Sequence, residues 1–206
     1  RRGANIGDCL YEDISGPNGT PDGVIDAYDQ TVLGSGLPKV NFGLSTHMEY
    51  KGFDLNISTY GVLDYHVTDD IYNSLNSCYG YGNKDVAMLD ANRWSEDGST
   101  YLSNVPRTYA ANNATLGWND LFSSRKIQNA AYWKIANVEL GYNFPDKWFG
   151  GYVSGVRLYV SAQNLYTFTS YHGYNVDYAG GTFTPGYNFC SFPSARTFMC
   201  GLHFTF

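Results

Sequence analysis

The chain has 206 residues, a formal net charge of −6 and a mean hydropathy of −0.33. The acidic balance argues against nucleic acid as a partner and against a basic membrane-surface role, and no run approaches the ~18 apolar residues of a membrane-crossing helix. One membrane class stays open, because the strands of an outer-membrane barrel carry their apolar residues only at every second position.

The chain opens on Arg1-Arg2-Gly3, with no Met and no apolar targeting segment, as a processed chain or a fragment does. An acidic loop follows. Asp13, Asp22, Asp26 and Asp29, with Ser15 and interspersed glycines, offer hard oxygen ligands suited to a structural Ca²⁺. The insertion from Gly16 to Pro21 interrupts the spacing, and the last position is Asp rather than a longer bidentate Glu, so a loop held by Asx-turns is the competing reading.

Strand patterning begins at Val40. Over Val40–Tyr50, Val40, Phe42, Leu44, Thr46, Met48 and Tyr50 alternate with Asn41, Gly43, Ser45, His47 and Glu49. Lys51-Gly52 is a turn. Phe53–Val62 sets Phe53, Leu55, Ile57 and Thr59 against Asp54, Asn56, Ser58 and Tyr60. The long connection Leu63–Ala131 carries Tyr79 and Tyr81 beside glycines. Tyr132–Tyr142 sets Tyr132, Ala136, Val138, Leu140 and Tyr142 against Trp133, Ile135, Asn137, Glu139 and Gly141, with Lys134 as a cation on the apolar side near the strand end, where it could snorkel. After a connection over Asn143–Gly155, Val156–Phe168 sets Val156, Leu158, Val160 and Ala162 against Arg157, Tyr159, Ser161 and Gln163. The second long connection, Thr169–Arg196, carries Tyr171, Tyr174 and Tyr187. The last strand, Thr197–Phe206, puts Phe198, Cys200, Leu202, Phe204 and Phe206 on one side.

Each window has about the length a tilted strand needs to cross a bilayer, ~9–11 residues. Glu49, Asp54, Glu139 and Arg157 all fall on the polar side, as a midplane charge facing lipid would cost ~2–4 kcal/mol. Tyr50, Phe53, Tyr132, Tyr142, Phe168 and Phe206 collect at window ends on the apolar side, where aromatic girdles meet the membrane interfaces. Barrels have short periplasmic turns and long external loops. With the C-terminus periplasmic, both short connections fall on that side, and the three long segments fall outside. A secreted, Ca²⁺-stabilised β-sandwich that binds glycans also alternates, but it leaves the long connections, the end-placed aromatics and the terminal Phe unexplained. Five strands cannot close a barrel, since about eight are needed before lipid-exposed edges disappear, so the remaining strands belong to further polypeptide.

Catalysis has little support. His47 and His203 sit at polar strand positions and His66 and His172 in loops, with no nucleophile at diagnostic spacing and no phosphate-binding glycine motif. Cys9, Cys78 and Cys190 lie in loops, where an oxidising exterior would allow one disulfide whose pairing the sequence leaves open; Cys200 is a small hydrophobe on the last strand. The loop tyrosines Tyr79, Tyr81, Tyr171, Tyr174 and Tyr187 are a candidate cargo surface, because flat amphipathic rings stack on sugars and peptide side chains.

An ordered set of motifs points further. Asp22-Gly-Val-Ile-Asp-Ala-Tyr-Asp29, Gly34-Ser-Gly-Leu-Pro-Lys39, Tyr50-Lys-Gly-Phe-Asp-Leu55, Asn92-Arg-Trp94, Val105-Pro-Arg107, Leu140-Gly-Tyr-Asn-Phe-Pro145, Arg157-Leu-Tyr-Val-Ser-Ala-Gln-Asn-Leu165 and Phe192-Pro-Ser-Ala-Arg-Thr-Phe198 run in sequence across nearly the whole chain. The chain resembles the C-terminal part of a SusC/RagA-type TonB-dependent outer-membrane transporter of Bacteroidetes. The resemblance implies an all-β fold: the last five strands of a transmembrane antiparallel β-barrel of about 22 strands, with an N-terminal plug and TonB-contacting box outside this chain. It further implies TonB-powered import of oligosaccharide or peptide, no enzymatic activity, no required cofactor, and a SusD-like surface lipoprotein as lid.

Overall fold

The computed structural model describes residues 6–78, 82–88, 93–95, 105–107, 118–149, 153–177 and 181–206. Two compact units divide them: Arg1–Gly34 with Thr68–Ile127, and Ser35–Val67 with Gln128–Phe206.

The second unit carries the main sheet. Strands β1 (Val40–Tyr50), β2 (Phe53–Leu63), β5 (Tyr132–Phe144), β6 (Gly155–Thr169) and β8 (Thr197–Thr205) form an antiparallel sheet in the order β1-β2-β5-β6-β8. All five windows of alternation are therefore strands, extended by a few residues in β2, β5 and β6, with Phe206 just beyond β8. Short elements occupy the long connections: β3 (His66–Asp69), helix α1 (Asp70–Leu75), β4 (Ile127–Asn129) and β7 (Tyr187–Asn188). Between β1 and β2 the turn Lys51-Gly52 has φ of 50° and 88°. Two consecutive left-handed residues match the right-handed twist of the flanking strands, and Gly at the second position lowers the cost.

Ladder partners lie on the same face, so the register assigns every side chain. Glu49, Asp54, Gly141, Tyr159 and Gly201 form one row, and His47, Asn56, Glu139, Ser161 and Met199 the next. The opposite face carries Leu55, Leu140, Val160 and Cys200, then Ile57, Val138, Ala162 and Phe198. Many large side chains of this second face stand exposed, among them Leu140, Val160, Phe168, Phe198, Leu202 and Phe204.

Lys134 and Tyr132 depart from the expected alternation. Ser58 pairs with Asn137 but Thr59 with Ile135, so β5 bulges at Ala136. One extra residue reverses the phase of everything beyond it. Lys134 consequently shares the polar face with its partner Tyr60, and needs no snorkelling. It is 3% exposed, ion-paired to Asp177 and set over the Tyr60 ring at 5.9 Å. Tyr132 is likewise buried on the polar side rather than standing in an interface girdle. Trp133 takes the apolar face instead and stacks on Phe168 with ring centroids 5.3 Å apart.

A small core closes the loop end of this unit. Val62, Tyr65, Val67, Ala130, Tyr132, Tyr171 and Val176 pack together, bringing the start of the 170–177 segment back onto the strand ends. Burial of such side chains stabilises by ~1.5–3 kcal/mol each, the main force holding a segment that has no ladder of its own.

The first unit is laced by hydrogen bonds. Tyr11 packs edge-on against Trp118 at 5.1 Å, and the Trp118 indole N–H donates to the Cys9 carbonyl at 2.7 Å. The Arg107 guanidinium donates to Asp8 at 2.7 Å, and the Asn119 amide donates to the same carboxylate at 2.9 Å.

Candidate functional site

The polar face of the main sheet holds a charge network that spans three strands. Asp54 of β2 and Arg157 of β6 lie on either side of β5, yet Arg157 Nε donates to Asp54 Oδ1 at 3.0 Å, and its Nη2 bonds Asp54 Oδ2 as well. The same Nη2 donates to Glu139 Oε1 at 2.7 Å, and Asn143 Nδ2 to Asp54 Oδ1 at 3.0 Å. The bidentate guanidinium–carboxylate fork is the strong form of such a bond. Gly141 makes it geometrically available: a Cβ there would stand 2.5 Å from Arg157 Nη2 and from Asp54 Oδ1. Gly201 does the same on β8, where a Cβ would come within 2.5 Å of the Tyr159 ring. Tyr159 thus lies across the last strand while Arg157 stacks on its ring at 5.2 Å. Small residues in one row leave room for long ones from the neighbouring strands.

On β1 the polar groups are exposed. His47 Nδ1 lies 2.6 Å from Asn56 Oδ1, and its Nε2 lies 2.9 Å from Glu49 Oε1. Of the four strand charges placed on the polar side, Asp54, Glu139 and Arg157 satisfy one another, while Glu49 pairs with His47.

A cleft of about 180 Å³ opens at the loop end, lined among others by Lys134, Asn164, Tyr166, Tyr174, Asp177 and Arg196. Its floor is a second bulge. Ile135 pairs with Tyr166 but Asn137 with Gln163, leaving Asn164 and Leu165 outside the ladder. Asn164 adopts φ 53°, and its Nδ2 donates to the Ala195 carbonyl at 2.9 Å. The sequence motifs Arg157–Leu165 and Phe192–Phe198 therefore meet at this bond. Asn tolerates the left-handed region better than most residues, which explains its place in the first motif. With Lys134 matched by Asp177, the cleft offers polar groups and aromatic rings suited to holding a polar molecule.

The candidate cargo tyrosines divide by exposure. Tyr171 is 7% exposed and belongs to the small core, its hydroxyl accepting from Asn188 Nδ2 at 2.7 Å. Its ring cannot also stack on cargo. Tyr174 is 63% exposed at the cleft, and Tyr187 is exposed on β7. Tyr79 and Tyr81 lie outside the described residues.

The four acidic-loop residues turn their carboxylates to backbone amides. Asp13 accepts from Gly23 at 2.6 Å, Asp22 from Val24 at 2.9 Å and Asp26 from Tyr28 at 2.8 Å. Asp29 accepts from Ile14, Ser15 and Asp26 at 2.8–3.2 Å. The N–H of Asp26, then those of Ser15 and Ile14, hold the Asp29 carboxyl below the usual carboxylate range. Among the described residues no three His, Cys, Asp or Glu side chains gather as a metal-holding group. Asp22 and Asp26 each close an Asx-turn on the amide two residues on, whereas Asp13 and Asp29 accept from amides distant in sequence.

Sequence reasoning missed the Asn164–Ala195 bond and the Lys134–Asp177 pair, both of which depend on bulges. Asn at position 164 was no clear signal, because Asn41, Asn56 and Asn137 also sit in strands without a left-handed φ.

No protein-family model matches the chain. The chain is 29% identical over 205 residues to the TonB-dependent receptor P3 of Formosa agariphila, which covers 96% of this chain and 19% of that protein. It is 26% identical over 209 residues to the TonB-dependent receptor SusC of Bacteroides thetaiotaomicron, with the same two coverages of 96% and 19%. Among solved structures, the RagAB peptide transporter superposes with a TM-score of 0.69 at 25% identity, over 83% of this chain and 18% of that one. The RagAB peptide importer in its open-open state gives 0.71 at 24%, over 92% and 20%. The chain thus spans about a fifth of the length of the curated relatives it matches. The likeness to SusC/RagA-type TonB-dependent proteins holds along the chain, and its five-stranded sheet has the fold of an open length of barrel wall.

Proposed function

We propose that the chain forms the C-terminal barrel wall and external loops of a TonB-dependent outer-membrane importer, which takes up oligosaccharides or peptides beneath a SusD-like surface lipoprotein. The observation that carries this reading is the two-faced sheet. Its apolar face is exposed over most of its large side chains, its polar face holds a three-strand charge network, and among the described residues β1 and β8 each end the sheet with one unpaired edge. In water the first feature would drive aggregation. In a bilayer it is the lipid contact, and the two edges pair with the remaining strands of the same barrel. The similarity to TonB-dependent receptors over 96% of the chain supports the same reading.

On this reading the short connections face the periplasm, as does the C-terminus, and the long ones face outward. The TonB contact and the plug belong to polypeptide outside this segment. The chain binds and encloses cargo and performs no covalent chemistry. Tyr174 and Tyr187, with the cleft around Lys134 and Arg196, are its cargo-facing groups.

The test is the intact mass of the native protein, extracted from membranes in detergent. A species several-fold heavier than 22.9 kDa that brings a lipoprotein with it is the expected result. A folded, water-soluble species of 22.9 kDa would overturn the proposal.

A further inference from the structure

Two of the four free cysteines converge in the first unit. Arg125 Nη1 lies 3.1 Å from Cys9 Sγ and 3.8 Å from Cys78 Sγ. Both sulfurs touching one nitrogen puts them no more than about 7 Å apart.

The backbone on both sides is anchored to one short segment. Cys9 N donates to Asn119 Oδ1 at 2.6 Å. Cys78 N donates to both carboxylate oxygens of Asp120, at 3.3 and 3.2 Å. The 3₁₀ turn Trp118–Asp120 therefore holds residues 69 positions apart in sequence against each other. Cys9 is partly exposed, whereas Cys78 is fully buried. This asymmetry is what an attacking and a resolving thiol need.

We propose that Cys9 and Cys78 are a disulfide pair that staples this unit, with the Arg125 guanidinium in reach of both sulfurs. The oxidant is a disulfide of a small thiol or of an oxidoreductase. The Cys9 thiolate, beside the guanidinium, attacks one sulfur of the donor disulfide. A Cys9–donor bond forms, the donor S–S bond breaks, and the first donor thiol leaves with a proton. Cys78 then attacks Cys9 Sγ, its own proton passing to the departing second donor sulfur. Two protein thiols and one donor disulfide become one protein disulfide and two donor thiols. Burial holds the Cys78 thiol above its ordinary range, opposed by Arg125. Cys78 therefore suits the second, intramolecular step, where proximity compensates for a smaller thiolate fraction.

Cys190 belongs to the other unit and is exposed in a left-handed conformation. Cys200 lies on β8 and pairs in the ladder with Val160. The staple is independent of what the protein transports.

The test uses the full-length protein purified in detergent, treated with oxidised glutathione, alkylated and digested without reductant. A peptide pair joined through Cys9 and Cys78 is the expected product, abolished by C9S and by C78S and retained in C190S. Recovery of both cysteines alkylated or carrying glutathione would overturn the proposal, as would Cys9 joined to Cys190. If C9S or C78S fails to fold, the wild-type and C190S digests still decide the pairing.

Discussion

Gly141 is a position on the polar face where a single added methyl group should be costly. Its missing Cβ is the passage through which Arg157 reaches Asp54. Removing one partner of a buried pair costs ~3–5 kcal/mol, but this guanidinium is partly open to solvent, so Gly141→Ala is expected to destabilise the barrel by about 1–3 kcal/mol. Gly43→Ala is the matched control, because its Cβ would meet only the Thr59 carbonyl at 3.6 Å. Thermal unfolding of the full-length protein in detergent separates the two, and equal midpoints would remove the argument. Asn164 gives a second separation. Asn164→Ala loses the bond to Ala195 and puts at φ 53° a residue that tolerates the left-handed region less well than Asn, together about 1–3 kcal/mol. Asn164→Gly loses only the bond, about 0.5–1.5 kcal/mol. If the two variants unfold at the same temperature, backbone strain plays no part at this bulge.

At the scale of elements, strands are legible where a period of two survives, as it does along β1, β2 and β8 and over the longer part of β5 and β6. Bulges are not legible in the same way. An inserted residue such as Ala136 leaves composition and length unchanged and inverts only the phase beyond it. Hence Lys134 reads as a cation facing the apolar side, when the ladder turns it to Asp177. Among the short elements inside the long connections, α1 carries a local start signal in its Asp69 cap, whereas β7 is only two residues long and no local pattern announces it. The acidic loop was half legible. Its carboxylates suit either a cation or backbone amides, and the choice depends on how the chain folds back from Asp29 to Ile14. That fold makes a pH prediction. Because amide donors hold the Asp29 carboxyl below its unfolded value of about 4, its contribution is present above that value. It is lost as pH falls through the lower, folded one. Hydrogen-exchange protection at Ile14, Ser15 and Asp26, normalised for intrinsic rates, is expected to persist at pH 5 and collapse at more acidic pH. In Asp29→Asn the protection should be low at both. Protection that ignores pH in the wild type would show that this carboxylate does not hold the loop.

For the molecule as a whole, the decisive question is which solvent meets each face of the sheet. The row Leu140–Val160–Cys200 and the row Asn137–Gln163–Thr197 belong to opposite faces of the same strands. Val160 and Gln163 are both exposed in this segment, so burial within the chain cannot distinguish them. Only the surroundings can. If the apolar face meets lipid, Val160→Lys places a cation well inside the strand and should cost ~2–4 kcal/mol, whereas Gln163→Lys should fall within about 0.5 kcal/mol of wild type. Equilibrium unfolding of the full-length barrel in phospholipid vesicles measures both. A face buried against protein in a soluble sandwich would also resist Val160→Lys, so the comparison needs a second condition. Thinner bilayers bring the interface closer to Val160 and should shrink its penalty, because the cost of a lipid-facing charge depends on its depth. A protein–protein face has no such dependence. A penalty that stays constant across bilayer thickness would therefore count against the barrel wall, even if the substitution itself proved severe.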